Sequence, residues 1–316
     1  MKSIPLQPIQ APPHHIIQQA LHLAFAEDWG MRGDISSQAC IAPEVQIQAR
    51  LHLRGSKSCS PNITDYVVSG LEVAKAALLY DNAELHVELQ EFDGSVVRAG
   101  SVLANISGSA RSLLSRERVA LNFLCHLSGI ATLTRQYVEA VAGTPTRIVD
   151  TRKTTPGLRS LEKFAVRCGG AQNHRFGLFD AIMIKDNHIA AAGGIIPALE
   201  ATKRNHPHMV SIELEVDTLE QLRQVDFDDQ NLRPDCVLLD NMSLQDMETA
   251  VEYIAGRALC EASGGIRLER VARIAQTGVD MISIGALTHS APIVDVGLDF
   301  DLTEPKKTAG SNNVNA

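Results

Sequence analysis

The sequence predicts an α/β protein in two parts, a small α+β sandwich followed by a parallel sheet or barrel. A length of 316 residues predicts a domain boundary, because single hydrophobic cores stop growing near roughly 250–300 residues. The first half mixes alternating strand patterns with helical patterns. The second half repeats short apolar runs, each followed by a helical stretch, which is typical of parallel strands covered on both faces.

The first half contains helical and strand periodicities in turn. Apolar residues three and four positions apart in IIQQALHLAFAED predict a helix from Ile16. Alternation in VQIQARLHL and AELHVELQEF predicts two strands, with a helix between them near Gly70–Tyr80. This mixture of elements predicts the small α+β sandwich.

A long helical pattern from about Ala110 to Ala142 is predicted to connect the two parts. It contains Ser128-Gly129, where we expect the helix to break or bend. Residues 1–15 and the tail from about Pro305 are rich in proline or in small polar residues, so both termini are predicted to be frayed.

The second half contains six apolar runs, and each of them ends in polar residues. In chain order the runs are RIVDTR, AIMIKD, SIELEV, CVLLDN, LCEASG and MISIGA. In α/β barrels the carboxyl ends of the strands carry the active site, because the following loops converge on one face. The sequence therefore predicts that six strand ends surround one pocket. For any single polar residue among them, capping of the following helix is the alternative role.

The overall charge argues against nucleic acid and membrane partners. Lys and Arg number 29 against 37 Asp and Glu, a formal net charge of -8, so there is no general attraction to polyanions. The N-terminus is polar and rich in proline, and no apolar run approaches the length of a membrane span. Six scattered cysteines show no zinc-type spacing and are predicted to be thiols in a reducing compartment. We therefore expect a cytoplasmic protein.

Basic side chains are concentrated in one region of this acidic chain. They are Arg152, Lys153, Arg159, Lys163, Arg167, His174, Arg175 and Lys185. Arginine matches carboxylates and phosphates with a planar fork, and lysine adds a mobile charge, so the set suits a ligand with both groups. A solvated helix face is the alternative for Arg159, Lys163 and Arg167. It fits the other members poorly, because Arg152, Lys153 and Lys185 directly follow strands.

Two carboxylates, Glu215 and Asp240, end other strands and are expected to face this basic set. Such a pair suggests Mg²⁺ escorting a polyphosphate. Charge balance for the lysines is the alternative.

Two turns of small residues, Ser263-Gly264-Gly265 and Ile284-Gly285-Ala286, follow successive strands. Backbone N–H groups at such turns commonly bind a phosphate in barrels, although glycines there also simply permit tight turns. Together these features describe phosphoribosyl transfer from phosphoribosyl pyrophosphate to an anionic acceptor. The glycine fingerprints of dinucleotide and nucleoside triphosphate sites and the G-x-S-x-G elbow do not occur in the sequence, so those classes lack support.

The motifs between Arg116 and His289 resemble one family over more than half of the chain. They are RERVALNFLCHLSGIAT, DTRKTTPGLRSLEKFAVRCGGAQNHRFGLFD, IKDNHI, ELEVDTLEQL, LLDNMS, EASGGI and SIGALTHS. In this order they resemble quinolinate phosphoribosyltransferase, also called carboxylating nicotinate-nucleotide pyrophosphorylase. The resemblance implies an N-terminal α/β sandwich over residues 1–128, rejoined by residues 290–316. It also implies an incomplete α/β barrel of about six to seven strands over residues 129–289.

The resemblance further implies a homodimer, or a higher assembly of dimers, in which subunits share active sites. It assigns Arg118 to the quinolinate carboxylates of the partner's site. The implied quinolinate residues within the barrel are Arg152, His174, Arg175 and Lys185. The implied catalytic residues are Lys153, Lys185, Glu215 and Asp240, of which the two carboxylates lie near the ribose and the magnesium. The implied phosphoribosyl and phosphate residues are Lys153, Asn241, Ser263, Gly264, Gly265, Gly285 and His289.

The implied activity is that of a decarboxylating pentosyltransferase in the de novo synthesis of NAD. The pyridine nitrogen attacks the anomeric carbon of the ribose, pyrophosphate leaves, and the ring then loses its 2-carboxylate as CO₂ to give nicotinate mononucleotide. Two alternatives stay open, a paralogue of the same fold with another anionic acceptor and a non-catalytic protein that binds phosphate metabolites. The sequence departs from the family's usual pattern by an extra segment near Ser56–Asp65.

Overall fold

The structure is a computed structural model that describes residues 9–55 and 64–301. Most of the predicted extra segment, residues 56–63, lies outside the described residues, as do residues 1–8 and 302–316. The predicted fraying of residues 1–15 is wrong for residues 9–15, since Ile9 and Ala11 pack against buried residues and a helix begins at His14. The first part of the chain contains α1 (His14–Trp29), α2 (Ile35–Cys40), β1 (Gln46–Gly55), β2 (Asp65–Val67), α3 (Leu71–Leu78), β3 (Leu85–Leu89), β4 (Val96–Arg98) and β5 (Val102–Ser109). The helix and the strands predicted from periodicity in this half are therefore confirmed.

The strands of this part form an antiparallel sheet that includes the last strand of the chain, β12 (Asp295–Asp301). The strand order is β12-β1-β5-β3, and β2 and β4 form a separate two-stranded ladder. Because β12 pairs with β1, the chain returns to its first sheet after the second part. Helices α1 and α3 bury Leu21, Phe25 and Leu71 in the core on this side.

The connecting helix α4 (Ala110–Ala140) is continuous over 31 residues. A break at Ser128-Gly129 is wrong, since both residues are helical and buried, while a bend there stays a prediction. A side chain at Gly129 would place its Cβ 2.1 Å from the backbone oxygen of Pro292. The glycine therefore permits the returning chain to pack directly on the helix, which explains its presence without a break.

The second part is an incomplete parallel barrel. Its elements are β6 (Arg147–Val149), α5 (Arg159–Cys168), β7 (Ile182–Ile184), α6 (Asp186–Ala192), α7 (Ile195–Asn205), β8 (Ile212–Val216), α8 (Leu219–Leu222), β9 (Cys236–Asp240), α9 (Leu244–Ile254), β10 (Leu259–Ser263), α10 (Leu268–Ala275), β11 (Met281–Ser283) and α11 (Ala286–His289). All six predicted strands are present, in the order β6-β11-β10-β9-β8-β7. β6 and β7 are the edges, so the barrel stays open between them.

The barrel strands are apolar because both of their faces are covered. Ile212, Leu214, Val237, Leu239 and Ile282 are all completely buried in the hydrophobic core. The polar positions of these strands are therefore exceptions to be explained. Glu215, Asp240 and Ser263 lie at or near the carboxyl ends, whereas Arg147 and Glu213 lie near the start of their strands. In the part of the chain that the structure describes, no helix has the length and apolar character needed to cross a membrane.

Candidate active site

The carboxyl ends of the six barrel strands lie side by side and bring most predicted site residues to one edge of the sheet. Arg152 and Lys153 follow β6, Lys185 follows β7, Glu215 and Asp240 lie in β8 and β9, Ser263 ends β10, and Gly285 follows β11. Asp240 and Ser263 face each other in the ladder between β9 and β10. The predicted convergence of strand ends is therefore present.

Two arginines form the basic side of the site. Burial lowers the pKa of Arg175, and the nearby charge of Arg152 lowers it further. Arg175 Nη1 donates to the backbone oxygen of Ala181 at 3.0 Å. The Nε atom of Arg152 is buried and finds no hydrogen-bond acceptor among the described residues. Since a buried guanidinium N–H normally has an acceptor, this pair of arginines fits an anion such as a carboxylate.

His174 directly precedes Arg175 in the chain, and both of its ring nitrogens lie against protein groups. Its Nδ1 accepts a hydrogen bond from the backbone N–H of Arg175 at 2.7 Å. Its Nε2 lies 3.1 Å from Glu213 Oε2 and 3.5 Å from Glu261 Oε1. Burial alone lowers the pKa of His174, but the hydrogen bond to Glu213 and the charge of Glu261 outweigh it and raise that pKa. The ring is thus held by its own protein, and its assignment to quinolinate stays a prediction.

For Lys163, the alternative role on a solvated helix face is wrong. Its side chain is 1% exposed, and its Nζ lies 2.5 Å from Asp150 Oδ1, a carboxylate that is itself completely buried. The same Nζ donates to the backbone oxygen of His174 at 3.1 Å, and Asp150 accepts from the backbone N–H of His174 at 2.8 Å. The pair therefore joins the end of β6 to the segment that carries His174 and Arg175.

Arg159 is also not on a solvated face. Its Nε donates to Thr154 Oγ1 at 3.0 Å, its Nη1 to the backbone oxygen of Phe176 at 3.1 Å, and its Nη2 to that of Arg152 at 3.4 Å. One guanidinium thus ties the loop after β6 to the loop after His174. Arg167, the third member, is partly exposed and donates to the backbone oxygen of Gln10.

Arg159→Lys is expected to lower kcat/KM by roughly tenfold while the protein still folds. Lysine keeps the charge but cannot reproduce a fork with three acceptors, so the two loops lose their connection. Steady-state kinetics with both substrates varied would measure the loss. Arg167→Lys is the matched control on the same helix, and an equal loss in both variants would contradict the role of Arg159.

The acidic side of the site contains two carboxylates with different partners. Glu215 forms an ion pair with Lys185, whose side chain is 42% exposed, and Asp240 accepts from Asn241 Nδ2 at 2.7 Å. Among the described residues, the group of three side chains close enough together to hold a metal ion is His174, Glu213 and Glu261, and it does not include this pair. Glu215 and Asp240 would supply two carboxylates. That number fits Mg²⁺, which usually takes one or two carboxylates and completes its shell with water and substrate phosphates.

The predicted phosphate residues form two groups. A Cβ at Gly285 would lie 3.0 Å from Lys153 Cδ and 3.2 Å from His289 Nε2, so these three residues are neighbours. Thr288 Oγ1 donates to the backbone oxygen of Lys153 at 2.7 Å and joins the last barrel loop to the first. A pocket of about 460 Å³ opens here, lined by Lys153, His289 and Thr288 among others.

The second group is formed by the turn after β10. Gly264 has a φ of +93°, and a Cβ there would lie 2.2 Å from Asn241 Oδ1, so only glycine fits. Asn241 donates its backbone N–H to the oxygen of Ser263 at 3.0 Å. A Cβ at Gly265 would meet nothing within 4 Å, which leaves this turn open. The structure thus brings Asn241, Ser263 and both glycines together beside Asp240.

Arg118 is the predicted site residue that the structure does not bring to the barrel. It lies exposed on α4 and lines a cavity of about 830 Å³ together with Arg54, Tyr66 and Asp295. None of the predicted site residues of the barrel lines that cavity. Its role in a partner subunit's site stays a prediction.

Residue patterns alone missed a second buried carboxylate, Glu162. It is completely buried, and its two oxygens accept from the backbone N–H of Thr155 at 3.0 Å and pair with His126 Nε2 at 2.8 Å. Glu162 thus fixes the loop that follows Lys153. The available signal is the pair of charged residues Glu162 and Lys163 between Leu161 and Phe164, since a charge on a buried helix face needs a specific partner.

An open parallel barrel with an arginine pair, two acidic strand ends and glycine turns defines an α/β-barrel enzyme for anionic substrates. Comparison with protein families agrees with that class. Residues 34–128 match the N-terminal domain of quinolinate phosphoribosyl transferase, and residues 130–299 match its C-terminal domain. The chain belongs to the quinolinate phosphoribosyltransferase family, so the resemblance described from its motifs is confirmed.

Individual relatives match along nearly their whole length. The probable nicotinate-nucleotide pyrophosphorylase (carboxylating) of Bacillus subtilis is 39% identical over 293 residues, covering 92% of this chain and 95% of the relative. The nicotinate-nucleotide pyrophosphorylase (carboxylating) of Mycobacterium leprae is 41% identical over 289 residues, covering 90% and 95%. The solved structure of the nicotinate-nucleotide pyrophosphorylase from Francisella tularensis has a TM-score of 0.83 at 35% identity, covering 93% of this chain and 99% of that one. The predicted fold class is confirmed.

Proposed function

We propose that this chain transfers a phosphoribosyl group from phosphoribosyl pyrophosphate to quinolinate and then removes CO₂, which gives nicotinate mononucleotide and pyrophosphate. The observation that carries the proposal is the buried Nε of Arg152, which has no acceptor among the described residues. The charge of Arg152 is close enough to Arg175 to lower the pKa of that guanidinium. Two neighbouring guanidinium groups suit an acceptor with two adjacent carboxylates. The carboxylating relatives support the same activity.

Transfer begins when the pyridine nitrogen attacks the anomeric carbon of the ribose and the bond from that carbon to the pyrophosphate oxygen breaks. Arg152 and Arg175 hold the carboxylates so that the nitrogen faces this carbon, which reduces the entropic part of the barrier. Glu215 and Asp240 place negative charge where the ribosyl centre becomes positive. Lys153, which lines the 460 Å³ pocket, balances the charge of the leaving pyrophosphate.

Decarboxylation follows on the same ring. The bond from C2 to the carboxylate carbon breaks, and the electron pair that remains on C2 is stabilised by the adjacent nitrogen, now quaternary and positive. A proton then adds to C2. The arginine pair must hold the 3-carboxylate firmly during this step, because the 2-carboxylate loses its charge as it leaves.

We also propose that Mg²⁺ takes part in the reaction and enters the site bound to phosphoribosyl pyrophosphate. Glu215 and Asp240 would hold it, and when bound it supplies positive charge near the diphosphate. Activity is expected to disappear with excess EDTA and to return with added Mg²⁺.

The deciding experiment is an assay with quinolinate, phosphoribosyl pyrophosphate and Mg²⁺ that follows CO₂ and nicotinate mononucleotide together, with nicotinate as the control acceptor. Equal release of both products from quinolinate, and none from nicotinate, is the expected result. Absence of both products with folded protein would overturn the proposal. Retention of quinolinate without turnover would indicate a binding protein instead, and turnover of another anionic acceptor would indicate a paralogue.

We also propose a homodimer, or an assembly of dimers, in which Arg118 completes the partner's site. This assignment explains why Arg118 lies in a separate cavity, away from the arginine pair. Arg118→Ala and Lys153→Ala are each expected to be inactive as pure dimers.

Mixing the two inactive variants is expected to restore about a quarter of the wild-type activity. Half of the randomly formed dimers are mixed, and each mixed dimer has one site in which neither residue is altered. Native mass spectrometry would verify subunit exchange. No recovery in a mixture that has exchanged would place Arg118 in its own subunit's site or outside any site.

A further inference from the structure

Two buried glutamates lie close together on barrel strands that flank β9. Glu213 in β8 and Glu261 in β10 lie on either side of β9, where their register partners are Cys236 and Leu238. Glu213 is 7% exposed and Glu261 is 1% exposed. The ring of His174 reaches between them, and one ligand-type atom from each of the three residues lies within 4.8 Å of the others.

The two glutamates of this cluster differ in the partners available to them. The ammonium of Lys163 is committed to Asp150, and Glu213 accepts from the thiol of Cys236 and pairs with His174 Nε2. Glu261 Oε1 is buried and has no hydrogen-bond partner among the residues the structure describes. Burial, with the charge of Glu213 next, raises the pKa of Glu261 to about 7. A carboxylate in this position destabilises the fold, so stability alone does not explain it.

The ring nitrogen that carries the proton decides whether His174 could bind a metal ion or only be held by the carboxylates. Its Nδ1 accepts from the backbone N–H of Arg175, so a neutral ring carries its proton on Nε2. This nitrogen lies 3.1 Å from Glu213 Oε2 and 3.5 Å from Glu261 Oε1, and once protonated it has no lone pair for a metal ion. The two carboxylates therefore orient the ring, and the ring holds the backbone of Arg175.

We propose that Glu261 is a positioning residue. Together with Glu213 it fixes the ring of His174, and through that ring it holds Arg175 in the arrangement that takes the acceptor's carboxylates. This inference rests on the proposed function, because it concerns the acceptor side of the same site. It predicts that removing the charge of Glu261 improves the fold and impairs acceptor binding.

The test is Glu261→Gln, which keeps the shape of the side chain and removes its charge. The expected results are a higher melting temperature, a KM for quinolinate raised roughly tenfold to a hundredfold, and an unchanged KM for phosphoribosyl pyrophosphate. Glu261→Asp, which keeps the charge, is expected to show a smaller rise in KM and no gain in melting temperature. Asp280→Asn is the matched control, since Asp280 accepts from the backbone N–H of Cys260 at the opposite ends of the strands.

A lower melting temperature, or failure of Glu261→Gln to fold, would show that Glu261 is structural and would overturn the inference. An equal rise in KM for both substrates would do the same, because it indicates general distortion of the site. If the wild-type protein does not turn over quinolinate at all, the proposed function fails instead. The wild-type assay therefore separates the two failures.

Discussion

Arg152→Ala is expected to lower kcat/KM for quinolinate by on the order of a thousandfold. Removing one partner of a buried, hydrogen-bonded charge pair costs about 2–5 kcal/mol, and each 1.4 kcal/mol is a factor of ten. The buried Nε of Arg152 has no acceptor among the described residues, so its hydrogen bond is reserved for the bound acceptor. Steady-state kinetics should show the loss against quinolinate, with the KM for phosphoribosyl pyrophosphate little changed.

Two further variants make this expectation specific. Arg152→Lys keeps the charge without the planar fork, so it should recover only part of the loss. Arg147→Ala removes an exposed arginine from the other end of the same strand and should behave like the wild type. A similar loss in Arg147→Ala, or full activity in Arg152→Ala, would remove Arg152 from the acceptor site.

The barrel strands were predictable because each is buried on both faces and therefore reads as a continuous apolar run. Parallel pairing of these runs predicts that their polar ends lie along one edge of the sheet. The ion pair of Lys185 with Glu215 lies at that edge. Glycine is less informative. The same residue type that breaks many helices serves in α4 to admit the backbone oxygen of Pro292, which comes from a distant part of the chain.

Other features of the site depend on contacts that a linear pattern does not contain. Arg159, Lys163 and Arg167 are spaced alike along α5, yet Lys163 is buried against Asp150 while Arg167 reaches the surface. The difference comes from the tertiary partner that each side chain meets, the carboxylate of Asp150 for Lys163 and the backbone oxygen of Gln10 for Arg167. Likewise, the meeting of His174 with Glu261 depends on the path of a loop from one barrel edge to the centre.

The buried pair of Lys163 and Asp150 gives the largest expected effect on stability. Lys163→Met is expected to reduce the free energy of unfolding by about 3–5 kcal/mol, because it leaves the carboxylate of Asp150 buried without a counter-charge. Urea denaturation followed by circular dichroism would measure the change. The control is Arg135→Ala, which breaks an ion pair with Glu139 whose members are 48% and 61% exposed. That loss should be about 0–1 kcal/mol.

The pH dependence and a second substitution identify the cause of this loss. Burial raises the pKa of Asp150 above its ordinary 3.8 even with Lys163 present, and Lys163→Met removes the charge that opposes this rise. A carboxylate whose pKa is higher in the folded than in the unfolded state loses stability as pH rises between the two values. The deficit of Lys163→Met should therefore be smaller at acidic pH than at pH 8. Adding Asp150→Asn removes the buried charge, keeps an acceptor for the N–H of His174, and should recover part of the loss at pH 8. If the deficit is independent of pH and Asp150→Asn recovers nothing, lost packing of the lysine stem explains it instead.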